Sequence, residues 1–157
     1  MKKLLYILLI ISVVLISGCT AKEAPDAAGA YETAIDKLYN EDEALNLNIK
    51  YLAVDTTKMK NLTEESKKTF LKNLEKYGLT VLDTNSEELE KNGYIKDTNF
   101  EEGILFKLED EKMKNNTIKM DVSKFRSGLG AIGYEGMELK YRNGKWEIKD
   151  TGSPWIS

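Results

Sequence analysis

The sequence contains no histidine, one cysteine and two arginines among its 157 residues. Each scarcity excludes chemistry. Without histidine there is no Ser-His-Asp triad, no Cys-His pair, no HExxH zinc motif and no two-histidine, one-carboxylate iron centre. The single cysteine, Cys19, cannot close an internal disulfide. None is required, because a chain of about 150 residues buries roughly 68–70% of its unfolded surface. Hydrophobic residues make up 41% and charged residues 31% of the chain, ordinary fractions for a globular protein. The length suits one domain.

What is present begins at the N-terminus. Lys2 and Lys3 form a short positive segment, and an apolar run from Leu4 to Ile16 follows, broken only by Ser12. As a helix that run extends about 20 Å, short of the ~30 Å hydrocarbon core of a bilayer. It therefore reads as the apolar region of a signal peptide rather than a lasting span. Ile16-Ser17-Gly18-Cys19 comes next, with a cysteine directly after two small residues. This segment resembles the lipobox of bacterial lipoproteins. The resemblance implies cleavage between Gly18 and Cys19 and a diacylglyceryl group, carrying palmitate-type chains, on the Cys19 sulfur. The other reading is a membrane-anchored helix with a chance cysteine. Two acyl chains hold a protein to a membrane firmly, where one does so only marginally. On this basis residues 1–18 are a lipoprotein signal peptide, 19–25 a tether and 26–157 a single globular domain. Removing residues 1–18 takes away Lys2 and Lys3 and leaves 139 residues, 21 basic and 26 acidic, a formal −5. That balance argues against nucleic acid and against electrostatic adhesion to anionic lipid. The tether, Thr20 to Pro25, reaches at most about 20 Å, which keeps the domain near the bilayer.

The remaining pattern predicts helices first and strands last. Asp26 can cap a helix whose apolar face is Tyr31, Ala34, Ile35, Leu38 and Tyr39. Leu47, Ile49 and Tyr51 alternate with polar residues and run into Leu52-Ala53-Val54, which predicts a strand. Thr63 is the expected N-cap of a second helix, with Glu64 and Glu65 in its first turn, Phe70, Leu71, Leu74 and Tyr77 on its apolar face and Gly78 closing it. A short strand, Leu79 to Leu82, follows. Asn85 with Glu88 fits a capping box before a brief helix that stops at Asn92-Gly93. From Gly103 the period becomes two. Ile104, Phe106 and Leu108 form one run. Ile118, Met120 and Val122 form another, across a turn at Lys114-Asn115-Asn116. Met137, Leu139 and Tyr141 lead through Asn143-Gly144 to Trp146 and Ile148, a strong hairpin signal.

This order implies an α+β fold: N-terminal helices packed on a curved, mainly antiparallel sheet that ends in a four-strand meander. Together with the hairpin Tyr141-x-x-Gly144-Lys145-Trp146-x-Ile148, it looks like the cystatin-like or nuclear-transport-factor-like cone folds. The Trp155-Ile156-Ser157 tail is similar to that of uncharacterised lipoproteins of Gram-positive bacteria. Trp155 follows Ser153-Pro154, so the tail is expected to fold back on the sheet.

Several segments are candidate sites. Gly128-Leu129-Gly130-Ala131-Ile132-Gly133 matches G-x-G-x-x-G, but a dinucleotide fingerprint needs those glycines to open a helix in a βαβ unit. Strand-like residues follow here, so a loop or bulged strand is the expected structure. Beside it stands Arg126, one of the two arginines with Arg142. With Ser127, Gly128 and Gly130 it could form an anion or ligand site, arginine being suited to clamp a carboxylate or phosphate; a rim salt bridge is the alternative. Glu109-Asp110-Glu111 and Asp97-x-Asn99-x-Glu101 suggest hard-cation ligands; the second lacks the glycine and terminal glutamate of an EF-hand loop, and solvated turns explain both. Trp155, Tyr134 and Trp146 could line a ligand cavity, or belong to the core. No carboxylate pair stands out for acid–base work, and Ser-x-x-Lys does not occur.

The sequence therefore points to a membrane-tethered, extracytoplasmic lipoprotein acting as a non-catalytic binding module. No enzyme activity, cofactor or metal is implied. The expected partners are the membrane, through the lipid, and a protein, peptide or cell-wall ligand. A small-ligand carrier, an accessory protein of an ABC transporter and an immunity or exclusion lipoprotein are the alternatives, with an enzyme least favoured.

Overall fold

The computed structural model describes residues 24–157. The signal segment, Cys19 and most of the tether lie outside the described residues.

The described residues form three α-helices and a seven-stranded mixed sheet. Helix α1 spans Ala28–Tyr39, followed by a 3-10 turn at Glu43–Asn46 and strand β1 at Tyr51–Asp55. Helix α2 (Glu64–Leu74) leads to β2 (Thr80–Asp83), and the short α3 (Ser86–Lys91) leads to β3 (Gly103–Asp110). Then come β4 (Thr117–Ser127), β5 (Gly130–Arg142), β6 (Lys145–Asp150) and β7 (Ser153–Ile156). The strand order is β2-β1-β3-β4-β5-β6, with β7 also paired to β5. β1 runs parallel to both neighbours, and every later pairing is antiparallel. This is the α+β architecture with the expected meander. The N-terminal strands add a parallel margin to it.

Local chemistry explains the boundaries. Asp26 Oδ1 accepts the Ala28 N–H at 3.0 Å as α1 begins. Thr63 Oγ1 accepts the Ser66 N–H at 3.1 Å and Asn85 Oδ1 the Glu88 N–H at 3.0 Å, so both expected N-caps are formed. Asn143 and Gly144 both take positive φ, 52° and 85°, the geometry of a two-residue hairpin turn. One expectation fails. Leu47–Lys50 is not strand: Asn48 takes a left-handed φ of 56°, which breaks an extended run, and Leu47 is 62% exposed. The strand starts only at Tyr51, where the Lys50 and Tyr51 N–H groups both reach the Glu102 carbonyl.

The two sheet faces differ. One carries Leu52, Val54, Phe106, Leu108, Met120, Met137 and Leu139 against Tyr31, Ile35 and Leu38 of α1 and Phe70 and Leu74 of α2. Each fully buried Leu or Phe contributes roughly 1.5–3 kcal/mol. The opposite face is covered over only part of its width, where Leu89, Ile95 and Phe100 pack on Ala53 and Leu105. Beyond that cover no other described element packs on the face. Among the described residues no helix is long and apolar enough to cross a membrane.

Candidate functional site

The open face is organised by strand register. Asp55 of β1 pairs with Lys107 of β3, Lys107 with Ser123 of β4, Ser123 with Gly133 of β5, and Gly133 with Trp155 of β7. Paired residues share a face, so these five make one row across five strands: carboxylate, ammonium, hydroxyl, an empty position and an indole. The empty position matters. A Cβ on Gly133 would stand 2.5 Å from both Cε2 and Cζ2 of Trp155 and 2.6 Å from the Val122 carbonyl oxygen. Only glycine lets the indole lie against the sheet there. Trp155 remains 37% exposed.

A second row borders the first. Glu109 pairs with Asp121, and a bulge in β5 sets both Glu135 and Gly136 opposite Asp121. The Asp121 carboxylate accepts the Gly136 N–H at 2.7 Å, and Lys58 pairs with Glu109 at 2.5 Å. Together the rows line a trough of about 450 Å³, within the roughly 300–1,000 Å³ of known ligand pockets.

The other sequence candidates are placed elsewhere. Gly128 and Leu129 form the β4–β5 turn, and Arg126 is the unopposed residue of a bulge just before it. The glycine segment is thus a hairpin turn running into a strand. Arg126 donates to the Leu45, Leu47 and Glu101 carbonyls at 3.0, 2.8 and 2.9 Å. It pins the 3-10 turn to the end of the sheet. Ser127 and Gly130 close that hairpin, with Leu45 packed on Gly130. Four of the five candidate binding residues therefore cluster at the hairpin end, and Trp155 stands apart on the trough. Trp146 is buried, with its indole N–H on the Asp26 carbonyl at 2.8 Å. Tyr134 is buried on the helix face, its hydroxyl 2.7 Å from the Glu41 carboxylate. Among the described residues no three metal-ligating side chains converge.

The most strongly shifted ionisable groups among the described residues serve the scaffold. Asp110, 2% exposed, accepts from the Tyr31 hydroxyl at 2.5 Å, the Lys60 N–H at 2.6 Å and the Asn61 side-chain amide at 2.6 Å. Burial, then this bond, holds the Tyr31 hydroxyl far above the usual tyrosine range. Burial and the Asp36 carboxylate do the same to Tyr77. Lys124 is fully buried on the helix face and donates to the Glu41 carbonyl, the Asp42 carbonyl at 3.1 Å and Asn46 Oδ1 at 3.3 Å. It thereby satisfies carbonyls just past the C-terminus of α1, where the helix dipole favours a cation. Burial nonetheless pulls its ammonium down to about 8, against the opposing pull of Asp42, Glu41 and Glu43.

A pH dependence follows. The folded value lies below the ordinary 10.5, so between the two the unfolded chain holds the extra proton and stability rises with pH. Tyr31 and Tyr77 act in the opposite sense, but only once pH passes the ordinary tyrosine value of about 10. Resistance to urea is therefore expected to rise from pH 8 to about 9.5. Lys124→Met should flatten that slope, and an equal slope in both proteins would contradict the assignment.

Sequence reasoning missed Lys107, Ser123 and the part played by Gly133 in this site. The signal was partial: Lys107 sits in the polar phase of an alternating run, and Gly133 is the third glycine of the motif. Only the register brings them into line with Trp155. Comparison with protein families, with curated proteins and with solved structures found no match for this chain.

Proposed function

We propose that this chain is a lipid-tethered, non-catalytic binding module on the outer face of a bacterial cytoplasmic membrane. Its binding surface is the open sheet face around Trp155. The tether rests on Lys2, Lys3, the apolar run and Ile16-Ser17-Gly18-Cys19. The surface rests on one observation, the cross-strand row that ends with the Trp155 indole seated in the notch at Gly133. A half-exposed aromatic ring with polar groups converging on it supplies contact area and directional hydrogen bonds, the two elements of recognition. The ionisable groups with strongly shifted protonation, Tyr31, Tyr77 and Lys124, are engaged in structural hydrogen bonds away from this face. That supports binding over acid–base chemistry.

The placement of residues 24–26 is consistent with a tether leading into them. Trp146 holds the Asp26 carbonyl, and Ala24 and Pro25 border the same hollow as Asn115 and Asn116 of the β3–β4 turn. The end bearing that turn would face the bilayer, and the trough opens along the side of the domain.

Cell fractionation tests the tether. The native chain should pellet with membranes, and Cys19→Ala should move to the soluble or secreted fraction. A Cys19→Ala protein that still pelleted with membranes would refute the lipid anchor.

A further inference from the structure

We infer that the trough beside Trp155 takes a neutral carbohydrate chain, with the C–H face of one pyranose ring against the indole. This inference rests on the binding-module reading and names the ligand class of the same site.

The lining argues in turn against anions, acyl chains and a peptide added as a strand. The charged side chains around the trough are Lys58 and Lys107 against Asp55, Glu109, Asp121 and Glu135. That acidic excess repels phosphates, nucleic acid and anionic lipid headgroups. Among the described residues Trp155 is the only apolar side chain offered to the trough. Leu108, Val122 and Tyr134 border it with their backbones, their side chains being buried among the core residues of the helix face. An acyl chain would strip water from the carboxylates and from Lys107 with little apolar contact in return. The trough floor is the face of a sheet, where β3, β4, β5 and β7 are already paired to one another. A peptide cannot add there as a further strand.

What remains is a ligand with a flat apolar side, a rim of hydrogen-bonding groups and no negative charge. A pyranose ring has that form: its axial C–H bonds make an apolar face, and its hydroxyls project around the edge. The indole supplies the matching flat surface, through hydrophobic contact and weak C–H···π attraction. Ser123 Oγ lies next to Gly133 in the row and can give or take a hydroxyl bond. Lys107, whose ammonium also reaches Ser86 Oγ at 3.4 Å, keeps further N–H donors. Glu135 and the Asp121 oxygen not held by Gly136 offer acceptors. Among the described residues the Trp155 N–H has no hydrogen-bond partner. The trough is open along the sheet rather than enclosed, which suits a chain passing over one side of the domain.

The test is a titration of the full chain with chitotetraose and cellotetraose, two neutral β-1,4-linked oligosaccharides, and with oligolysine as the cationic peptide probe. Tryptophan emission and calorimetry are the readouts. The inference predicts a saturable emission change with at least one of the two sugars. It further predicts about tenfold weaker binding in Trp155→Ala, partial retention in Trp155→Phe and weaker binding in Lys107→Met and Ser123→Ala at unchanged melting temperature. No saturable response to either sugar overturns the carbohydrate class. A response to oligolysine alone, lost in Trp155→Ala, overturns that class and leaves the sheet face standing as the binding surface. Sugar binding that Trp155→Ala leaves intact overturns both.

Discussion

Gly152→Ala should destabilise the protein by about 3 kcal/mol and release β7 from the sheet. Gly152 joins β6 to β7 with a φ of +71°, where its N–H reaches Asp150 Oδ1 at 2.9 Å. A Cβ there would lie 2.1 Å from the Glu135 carbonyl oxygen and 2.9 Å from the Gly136 carbonyl carbon. Both obstacles are backbone of β5, so no side chain can turn aside. The inexpensive escape is for the last strand to leave β5, because all four β7 residues are exposed. Trp155 would leave the Gly133 notch with it. The emission of Trp155 should shift to the red and become accessible to acrylamide, while buried Trp146 stays unchanged. Gly144→Ala is the control. It has φ +85° with nothing within 4 Å of a Cβ, so it should cost only about 1 kcal/mol from the backbone. Equal destabilisation by the two variants would show that the contact with β5 does not matter.

The second large effect lies on the other side of the sheet. Asp110→Ala should cost about 3 kcal/mol. It would leave the Tyr31 hydroxyl, the Lys60 N–H and the Asn61 amide without their shared acceptor. Asn61 also donates to the Glu111 carbonyl at 2.7 Å and accepts the Met113 N–H at 2.9 Å. The network therefore fastens the loop between β1 and α2 to the end of β3 and joins both to α1. Unfolding by urea gives the loss, and faster amide exchange at Lys60 and Asn61 locates it. A double-mutant cycle with Tyr31→Phe should show strong coupling. A loss below about 1 kcal/mol would mean that water replaces the carboxylate at little cost.

Both sites illustrate what pattern alone conveys. Thr63, Asn85 and Asn143-Gly144 act through atoms within three residues of themselves, so their caps and turn are legible in the sequence. The alternating runs beginning at Ile104 and Ile118 announce strands with one buried face. They do not state which strands lie side by side. Register decides that Lys107, Ser123, Gly133 and Trp155 share a row, and register follows from the whole sheet. Trp155 was visible as an aromatic in the tail, and the fold-back of that tail was inferred from Ser153-Pro154. Its seat on Gly133 was not. Arg126 shows the converse. Arginine is scarce here and suited to anions, yet its guanidinium meets the Leu45, Leu47 and Glu101 carbonyls, all far from it in the chain. Leu47 misleads for a local reason, since the left-handed Asn48 interrupts an apparent alternation. Asp110 sits in an acidic run that suggests solvent, and only tertiary packing buries it.

If a tethered domain holds its ligand on the face around Trp155, in-cell photo-crosslinking should capture that ligand there. A benzophenone amino acid is placed at position 123, in the row beside Gly133, and, as control, at position 68, on the exposed side of α2. The account predicts a covalent adduct containing cell-envelope glycan from position 123 only, lost when Trp155→Ala or Cys19→Ala is added. No adduct from position 123, or the same adduct from both positions, would contradict it.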